Sequence, residues 1–516
     1  MSATTADRFG VIDYHAAIDV LPDNMLLEIF DHVAERRTEE WHTLVHVCPR
    51  WRRVVFASLH HLNLRLLCTE KTHVRGMLDV WPTLPIDIWY NYNNTTLAAA
   101  ASTGNSGNDD VIVALEHRDR ICKISLRGVP SSQFERLAGA TQNHEPFPAL
   151  TSLVLRSEPE LAPAVLPESF LGGSAPRLRT LRPDNVAFPA LPKLLRSAGG
   201  DLVHLYLWGI PDAGYVSPEA MAGCLSALTK LESLRLGFQS PRSHHPSPPS
   251  STSMRADGTV VLLPALTHFW FQGVCGYLED LVTAIDAPLL GFVQITFFSQ
   301  PSFSISQLAQ FIGRTRNFNA LSQADVVFLS HSVEVTLSPH PATGKLAVIM
   351  LGISRAPPGE AEAKAEASLE LSSALAQVCS SVLPRLSPME RLDIREDRLG
   401  RPRWQANIAN AQWLELLRPF TAVKILHLSG GVALHIAPSL QGLAGESAAQ
   451  VLPALRSLFV VGPQQSGAVQ EAVCQFVAAR QVAGCPIAVP CWERRQRVVI
   501  APGDGRLISP LRLPSN

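Results

Sequence analysis

His117-Arg118-Asp119, in "EHRDRICKI", has the form of a phosphotransferase loop in which the aspartate would act as base. That chemistry also needs a lysine two residues and an asparagine five residues beyond the aspartate. Ile121 and Ile124 stand there instead, so the carboxylate lacks both partners. "SPHPATGKLAV" closes like a phosphate-binding loop at Gly344-Lys345, but its first glycine would fall at Pro339 and Leu346 replaces the magnesium-binding hydroxyl. The Gly-Lys pair is read as a hairpin turn. His60-His61 and His244-His245 are adjacent rather than four apart, so neither pair lies on one helix face as a zinc site requires. Cys485 and Cys491 flank "PIAVP" without companion ligands, no C-x-x-C occurs among the nine cysteines, and no G-x-S-x-G occurs. The expectation is a non-enzymatic chain with no catalytic residues, no metal and no cofactor.

Other residue types are suited to recognition. A degenerate L-x-x-L-x-L pattern recurs in "ICKISL", "LTSLVL", "LRTLRP", "LVHLYL", "LESLRL", "LTHFWF" and "LGFVQI", and later in "MERLDI", "VKILHL" and "LRSLFV". The fourth positions of the first seven are separated by 29, 28, 24, 29, 35 and 24 residues, close to the ~20–29-residue period of leucine-rich repeats. Side chains alternate along a strand, so positions three, five and seven point away from the core. His204, Tyr206 and Trp208 occupy such places, as do His268, Trp270 and Gln272, then Phe292, Gln294 and Thr296, with Arg235 between. Aromatic and arginine side chains dominate protein-binding hot spots, so His204, Tyr206, Trp208, Arg235, His268, Trp270 and Gln272 are the candidate substrate-binding set. Arg156, Arg182 and Arg235 could converge on the same face.

The elements that position these residues follow from the spacing. Proline in "FPAL", "APRL" and "LPAL" ends one helix before the next strand begins. Helical stretches such as Ser217 to Leu228 fill the intervals, which predicts an α/β solenoid with a parallel sheet. The asparagine that closes each turn of a standard leucine-rich repeat is replaced by Glu158, Ile210, Gln239 and Val274. The period lapses between Phe298 and Met389. There the patterns predict a helix over 306–316, a β-hairpin formed by "ADVVFLSHSVEVTLS" and "GKLAVIMLGIS", and a helix over 359–383. The expected layout is a tail (1–17), a helical unit (18–66), a linker or first turn (67–110), repeats (111–298) with a mobile Pro/Ser-rich loop near 239–258, an irregular section (299–383), and C-terminal repeats with a cap (384–516).

The chain has 516 residues, 46% of them hydrophobic and 17% charged, and its 44 basic residues nearly cancel its 45 acidic ones. This is a globular balance, and it gives no global field for nucleic acid or an anionic membrane. The N-terminus lacks a basic and apolar leader, and the most apolar run, "VVLLPALTHFWF", is too short to span a bilayer. The expected location is cytoplasmic or nuclear rather than secreted, with reduced thiols.

Near the N-terminus, Asp23 precedes an apolar stripe of Leu26, Ile29, Phe30 and Val33 at helical spacing. A second stripe runs through Trp41, Leu44, Val45 and Cys48, and Pro49 suits the first turn of a third helix. There Trp51, Val54 and Val55 face inward while Arg50, Arg52 and Arg53 stay solvated. Three such short helices build little core alone. The order Leu21-Pro22, Leu26-Leu27, Ile29-Phe30, Leu44, Val47-Cys48 and "RWRRV" resembles the F-box family. "NAQWLELLRPFTAVKILHLS" and "AVQEAVCQFVAARQVAGCPIAVPCWER" resemble the F-box proteins expanded in mushroom-forming fungi. The resemblance implies a small all-α F-box that binds a Skp-type adaptor, and through it a cullin–RING ubiquitin ligase, while the solenoid holds a protein substrate. It makes Leu21, Pro22, Leu26, Ile29, Phe30, Val47 and Trp51 the candidate adaptor-binding residues or their support. A leucine-rich scaffold without any ligase role is the alternative.

Overall fold

The structure is a computed structural model. It describes residues 21–36, 44, 46–57, 64–68, 74–80, 84–91, 106–140, 146–158, 163–241, 260–298, 300, 303–329, 332–340, 347–354, 388–397, 410–429, 431–443, 450–461 and 467–493. The chain divides into two compact units, Met1–Pro249 with Val261–Ala265, and Ser250–Val260 with Leu266–Asn516.

The first helices described in the first unit are α1 (Asp23–Arg36) and α2 (Pro49–Ala57). Among the described residues, seven strands of the large sheet follow: β1 (Leu64–Leu67), β2 (Ile86–Asn91), β3 (Ile121–Val129), β4 (Ser152–Ser157), β5 (Thr180–Asp184), β6 (His204–Ile210) and β7 (Ser233–Phe238). Each pairs in parallel with the next, in chain order. Between them run α3 (Val74–Val80), α4 (Ser106–Leu115), α5 (Ser131–Ala140), α6 (Leu191–Ala198) and α7 (Pro218–Leu225). One strand, one helical return and one parallel step make the repeating unit. Its side-chain spine is the register ladder Ile88, Ile124, Leu153, Leu181, Leu205 and Leu234, all buried.

A backbone ladder runs just before the strands. The amides of Thr151, Arg179, Val203 and Glu232 donate to the carbonyls of Cys122, Thr151, Arg179 and Val203 at 2.8–2.9 Å. Each repeat thus satisfies the polar backbone of its neighbour, which a single repeat cannot do alone. The leucine that opens several of the motifs closes a tight turn onto the residue three before it, as at Leu150, Leu178 and Leu231. In α7 the helix start is local: Pro218 sits at the first turn, and the Ser217 hydroxyl accepts from the Ala220 amide at 3.2 Å.

The second unit contains β8 (His268–Gly273), β9 (Phe292–Phe298), β10 (Leu321–Phe328), β11 (Ser332–Pro339), β12 (Val348–Ser354), β13 (Arg391–Glu396), β14 (Ile425–Ser429), β15 (Ser457–Val461) and β16 (Ala488–Glu493). Its helices are α8 (Cys275–Ala284), α9 (Ser306–Arg314), α10 (Asn410–Leu417), α11 (Val432–Gln441) and α12 (Gly467–Val482). The helices cover one face of the sheet: Phe311 of α9 packs edge-on against Phe269, and Trp413 of α10 against Phe328.

Here the structure corrects the two-stranded reading of the irregular section. "ADVVFLSHSVEVTLS" is itself a hairpin, β10 with β11, and β12 adds a third strand antiparallel to β11. The outer two strands of this meander pair in parallel with the repeats on either side, β12 with β9 and β10 with β13. The insertion therefore extends the sheet rather than interrupting it. Strict alternation of buried and half-buried residues along β11 explains why it joins the core face. The helix expected over 306–316 stops at Arg314 and gives way to a 3-10 turn, Arg316–Ala320. The expected helix over 359–383 and the loop residues 242–259 lie outside the described residues.

Two further links hold the second unit. The Glu279 carboxylate on α8 accepts the Gln307 and Leu308 amides of α9 at 2.9 and 2.8 Å, so one repeat's helix caps the next. Arg480, fully buried in the last turn of α12, donates to the carbonyls of Val451, Leu452, Pro453 and Leu455. Among the described residues no helix is long and apolar enough to cross a membrane, and no group of three or more potential metal ligands gathers.

Candidate protein-interaction surfaces

Two surfaces gather the candidate residues. The first is the N-terminal helix pair. Leu26 and Phe30 are buried, and the Phe30 ring packs on Trp51 of α2 with centroids 4.9 Å apart. Arg50 ties the two helices together: its guanidinium donates to Asp23 Oδ1 at 2.8 Å and to the Leu21 carbonyl. The expectation that Arg50 stays solvated is thus corrected, because it is half-buried and anchors the start of α1. Val54 and Val55 are buried as expected, Trp51 and Leu21 are half-buried, and Arg52 and Arg53 are exposed.

The single stripe expected on α1 therefore splits. Leu26 and Phe30 serve the chain's own packing and are not surface contacts. Pro22 is exposed, and Met25 and Ile29 are 42% and 43% exposed one helical turn apart, with Val47 58% exposed. Of the second expected helix, only Leu44 and residues 46–48 are described, and Leu44 is buried. Nothing in the sequence reading had singled out Met25, because its neighbour Leu26 carried the stripe.

The second surface is the sheet face that the helices leave open, taken unit by unit. In the first unit Leu205 and Leu207 are buried, while His204, Tyr206 and Trp208 are half-exposed, as period-two alternation requires. The His204 and Tyr206 rings stack at 5.9 Å. The Arg235 guanidinium lies 3.8 Å from the centre of the Trp208 ring, a close cation–π geometry. Gly237 makes this possible: a Cβ there would stand 2.4 Å from Trp208 Cε3. Burial, first, and the charge of Arg179 hold the His204 pKa below the usual histidine range, against the opposing pull of Glu232.

More arginines share this face than the sequence reading paired. Register places Arg127 beside Arg156, Arg156 beside Asp184, and Asp184 beside Trp208. Arg182 donates to Asp184 Oδ2 through both Nε and Nη2 at 3.0 Å. Arg127 lies over Trp89 at 5.7 Å. Burial, and then the charges of Arg182 and Arg156, push the Arg127 pKa down, with Asp184 opposing. Arg235 is lowered first by burial and also by Arg182, again with Asp184 opposing. Arg127 sits at position seven of "ICKISLR", so the rule that found Trp208 finds it too. Trp89 was missed because β2, "IDIWYN", lacks the leucine pattern.

In the second unit His268 is exposed, and Trp270 and Gln272 are half-buried on β8. His268 and Trp270 stack at 5.4 Å, and Phe292 of β9 contacts both rings. Among the described residues of this unit's open face, Arg395 pairs with Asp325 at 2.6 Å and Arg391 with Asp393 at 3.0 Å. Glu334 is raised by burial. The structure therefore brings His204 with Tyr206, Trp208 with Arg235, and His268 with Trp270, each set within its own unit.

His117-Arg118-Asp119 forms the turn leading into β3. Gly344-Lys345 lies outside the described residues.

No family model matches the chain, and no curated protein matches it. Among solved structures, the leucine-rich repeat-containing protein LegL7 from Legionella pneumophila aligns over 83% of this chain and 99% of its own, with 11% identity and a TM-score of 0.26. That likeness is too slight to carry a functional argument.

Proposed function

We propose that this chain is a non-catalytic protein-interaction subunit: its N-terminal helices dock on a Skp-type adaptor of a cullin–RING ubiquitin ligase, and its repeat array holds the protein to be ubiquitylated. The observation that carries this is the divided apolar surface of α1. Leu26 and Phe30 are used internally, whereas Met25 and Ile29 stay outside, beside the exposed Pro22. Apolar side chains kept in water at helical spacing fit the helix-in-groove mode of recognition, and they fall within the segment that resembles an F-box. In this reading the chain performs no bond chemistry. It raises the effective concentration of substrate lysines near the ubiquitin-charged enzyme.

A scaffold without a ligase role is the second reading, favoured by the open, aromatic and arginine-rich sheet face, which needs no adaptor to bind a protein. Co-purification of the full chain with a Skp-type adaptor separates the two. Stable capture supports the ligase subunit, and failure to capture leaves the scaffold.

A further inference from the structure

A carboxylate stands without a counter-ion on the open face of the second unit. Glu334 lies on β11 between the buried Val333 and Val335, so alternation turns it to that face. Elsewhere on the face Asp325 and Asp393 are held by Arg395 and Arg391. Among the described residues no hydrogen bond or ion pair engages the Glu334 carboxylate. Its surroundings are built around a missing side chain. Glu334 is the register neighbour of Gly352 on β12, and Gly352 that of Thr296 on β9. A Cβ on Gly352 would stand 3.3 Å from Glu334 Cγ and 3.6 Å from Thr296 Oγ1. The glycine thus lets the Glu334 stem lean over β12, with the Thr296 hydroxyl on the far side of the same narrow stretch of backbone. Apolar residues adjoin it: Val327 of β10 pairs with Glu334, and Met350 lies two residues before Gly352. Further across the sheet Trp270 and Phe292, both half-buried, pack with ring centroids 5.2 Å apart.

We propose that this part of the sheet binds an extended segment of a partner protein, with a basic side chain held by Glu334 and Thr296 and an aromatic side chain held by Trp270 and Phe292. The inference rests on reading the repeat array as the partner-binding part of the chain.

The argument is one of charge and spacing. A half-buried carboxylate without a partner costs free energy until a donor or a cation reaches it. Burial raises the Glu334 pKa, the direction expected of such a group. An ammonium brings three donors to one point, enough to serve the carboxylate and the Thr296 hydroxyl together. A charge pair of this kind sets register and partner choice, while aromatic anchors supply most of the affinity. Strand order then fixes the distance between the two anchors. β11 lies beside β12, β12 beside β9, and β9 beside β8. Trp270 is three strands across from Glu334 and two residues back, and Phe292 is two strands across and four residues back. At ~4.8 Å per strand and ~3.3 Å per residue, each Cα is roughly 16 Å from that of Glu334. An extended segment puts alternate side chains on one face, so residues four apart, ~13 Å, both reach the sheet. The lean of Glu334 over β12 shortens the remaining gap. No single group has to span the two anchors, and an uncompensated carboxylate disfavours nucleic acid or any other polyanion.

The test uses the full purified chain. Fluorescence anisotropy is measured with degenerate peptide libraries of equal length whose variable positions hold uncharged residues. The fixed residues are K-x-x-x-F, Q-x-x-x-F, E-x-x-x-F or K-x-x-x-S, each made in both chain directions. The proposal expects the lysine–phenylalanine library to bind at least tenfold tighter than each of the others. In E334Q the preference for lysine over glutamine should vanish while binding of the glutamine library stays as in the parent, a pattern that unfolding does not produce. T296V should lose part of that preference, and W270A should lose the preference for phenylalanine over serine. Circular dichroism of each variant confirms that it is folded. Equal binding of the lysine and glutamine libraries by the parent, tighter binding of the glutamate library, or a lysine preference that survives in E334Q overturns it. If lysine and glutamine libraries bind equally and W270A weakens both, the face still binds protein and only the charge site fails. Absence of binding by every library overturns the proposal together with the reading of this face as partner-binding. None of these readouts involves the adaptor, so the N-terminal docking reading stands or falls on its own test.

Discussion

Replacing Arg480 by methionine should cost the second unit about 3–5 kcal/mol, because buried carbonyls then lose their charged donor. The Arg480 side chain is 0% exposed. Its Nη1 donates to the Val451 and Leu452 carbonyls at 3.3 and 3.2 Å, and its Nη2 to those of Pro453 and Leu455 at 3.3 Å each. These carbonyls line the turn before β15, where Leu452 adopts a left-handed φ of 51°. The bonds are long and share two nitrogens, so they count as roughly two good charged hydrogen bonds, each worth ~1.5–3 kcal/mol. Methionine keeps the aliphatic stem but no donor, leaving four carbonyls facing a buried thioether. Lysine keeps the charge with one nitrogen and should lose about half as much. Urea denaturation gives the total, and amide hydrogen exchange over 450–461 and 467–484 localises it. A methionine variant whose transition and local protection both match the parent would show that the turn holds itself, and the reasoning would fail.

The remaining predictions are shorter. Glu279→Ala removes the acceptor for two helix-start amides and should destabilise α9 by about 1–2 kcal/mol, read as faster exchange at Gln307 and Leu308; unchanged exchange contradicts the capping role. His204 is held below its ordinary value of 6.5 by burial, so the unfolded chain takes up that proton first. The stability of the first unit should therefore fall as pH drops below about 6.5 and stop falling once the folded-state pKa is passed, and His204→Gln should flatten that part of the urea-midpoint profile. Among the described thiols, Cys474 is exposed, whereas burial raises Cys68 strongly and pushes Cys275 up to about 11. Mass-mapped alkylation at pH 8 should label Cys474 first and spare Cys68 and Cys275 until unfolding.

Much of the array was legible because its signal is repeated. A buried apolar residue at every fourth and sixth motif position forces a strand register, and all ten motifs found in the sequence fall on strands. β1 and β2 escaped because "LRLL" and "IDIWYN" are strands by burial and neighbour pairing, without the leucine spacing. The meander was misjudged for a physical reason as well. A strand's alternation gives its faces but not its partner, and only the register shows β11 lying between β10 and β12.

On the sites, outward alternation located His204, Tyr206 and Trp208 correctly. It could not show that Trp208 lies under Arg235, which depends on the missing Cβ of Gly237. On α1 the 3.6-residue period could not divide Leu26 and Phe30 from Ile29. That division depends on where Trp51 packs, a contact between residues far apart in sequence.

The central claim is that the outward apolar face of the N-terminal helices binds a Skp-type adaptor. Its most direct test is a calorimetric titration of purified Skp-type adaptor into the full chain, alongside I29D/V47D. Both substitutions fall at exposed positions, where folding stability should change by less than about 0.5 kcal/mol each. The account predicts saturable binding by the parent and a loss of at least a hundredfold in I29D/V47D, with the thermal transition unchanged. No binding by the parent, or equal binding by the double variant, contradicts it.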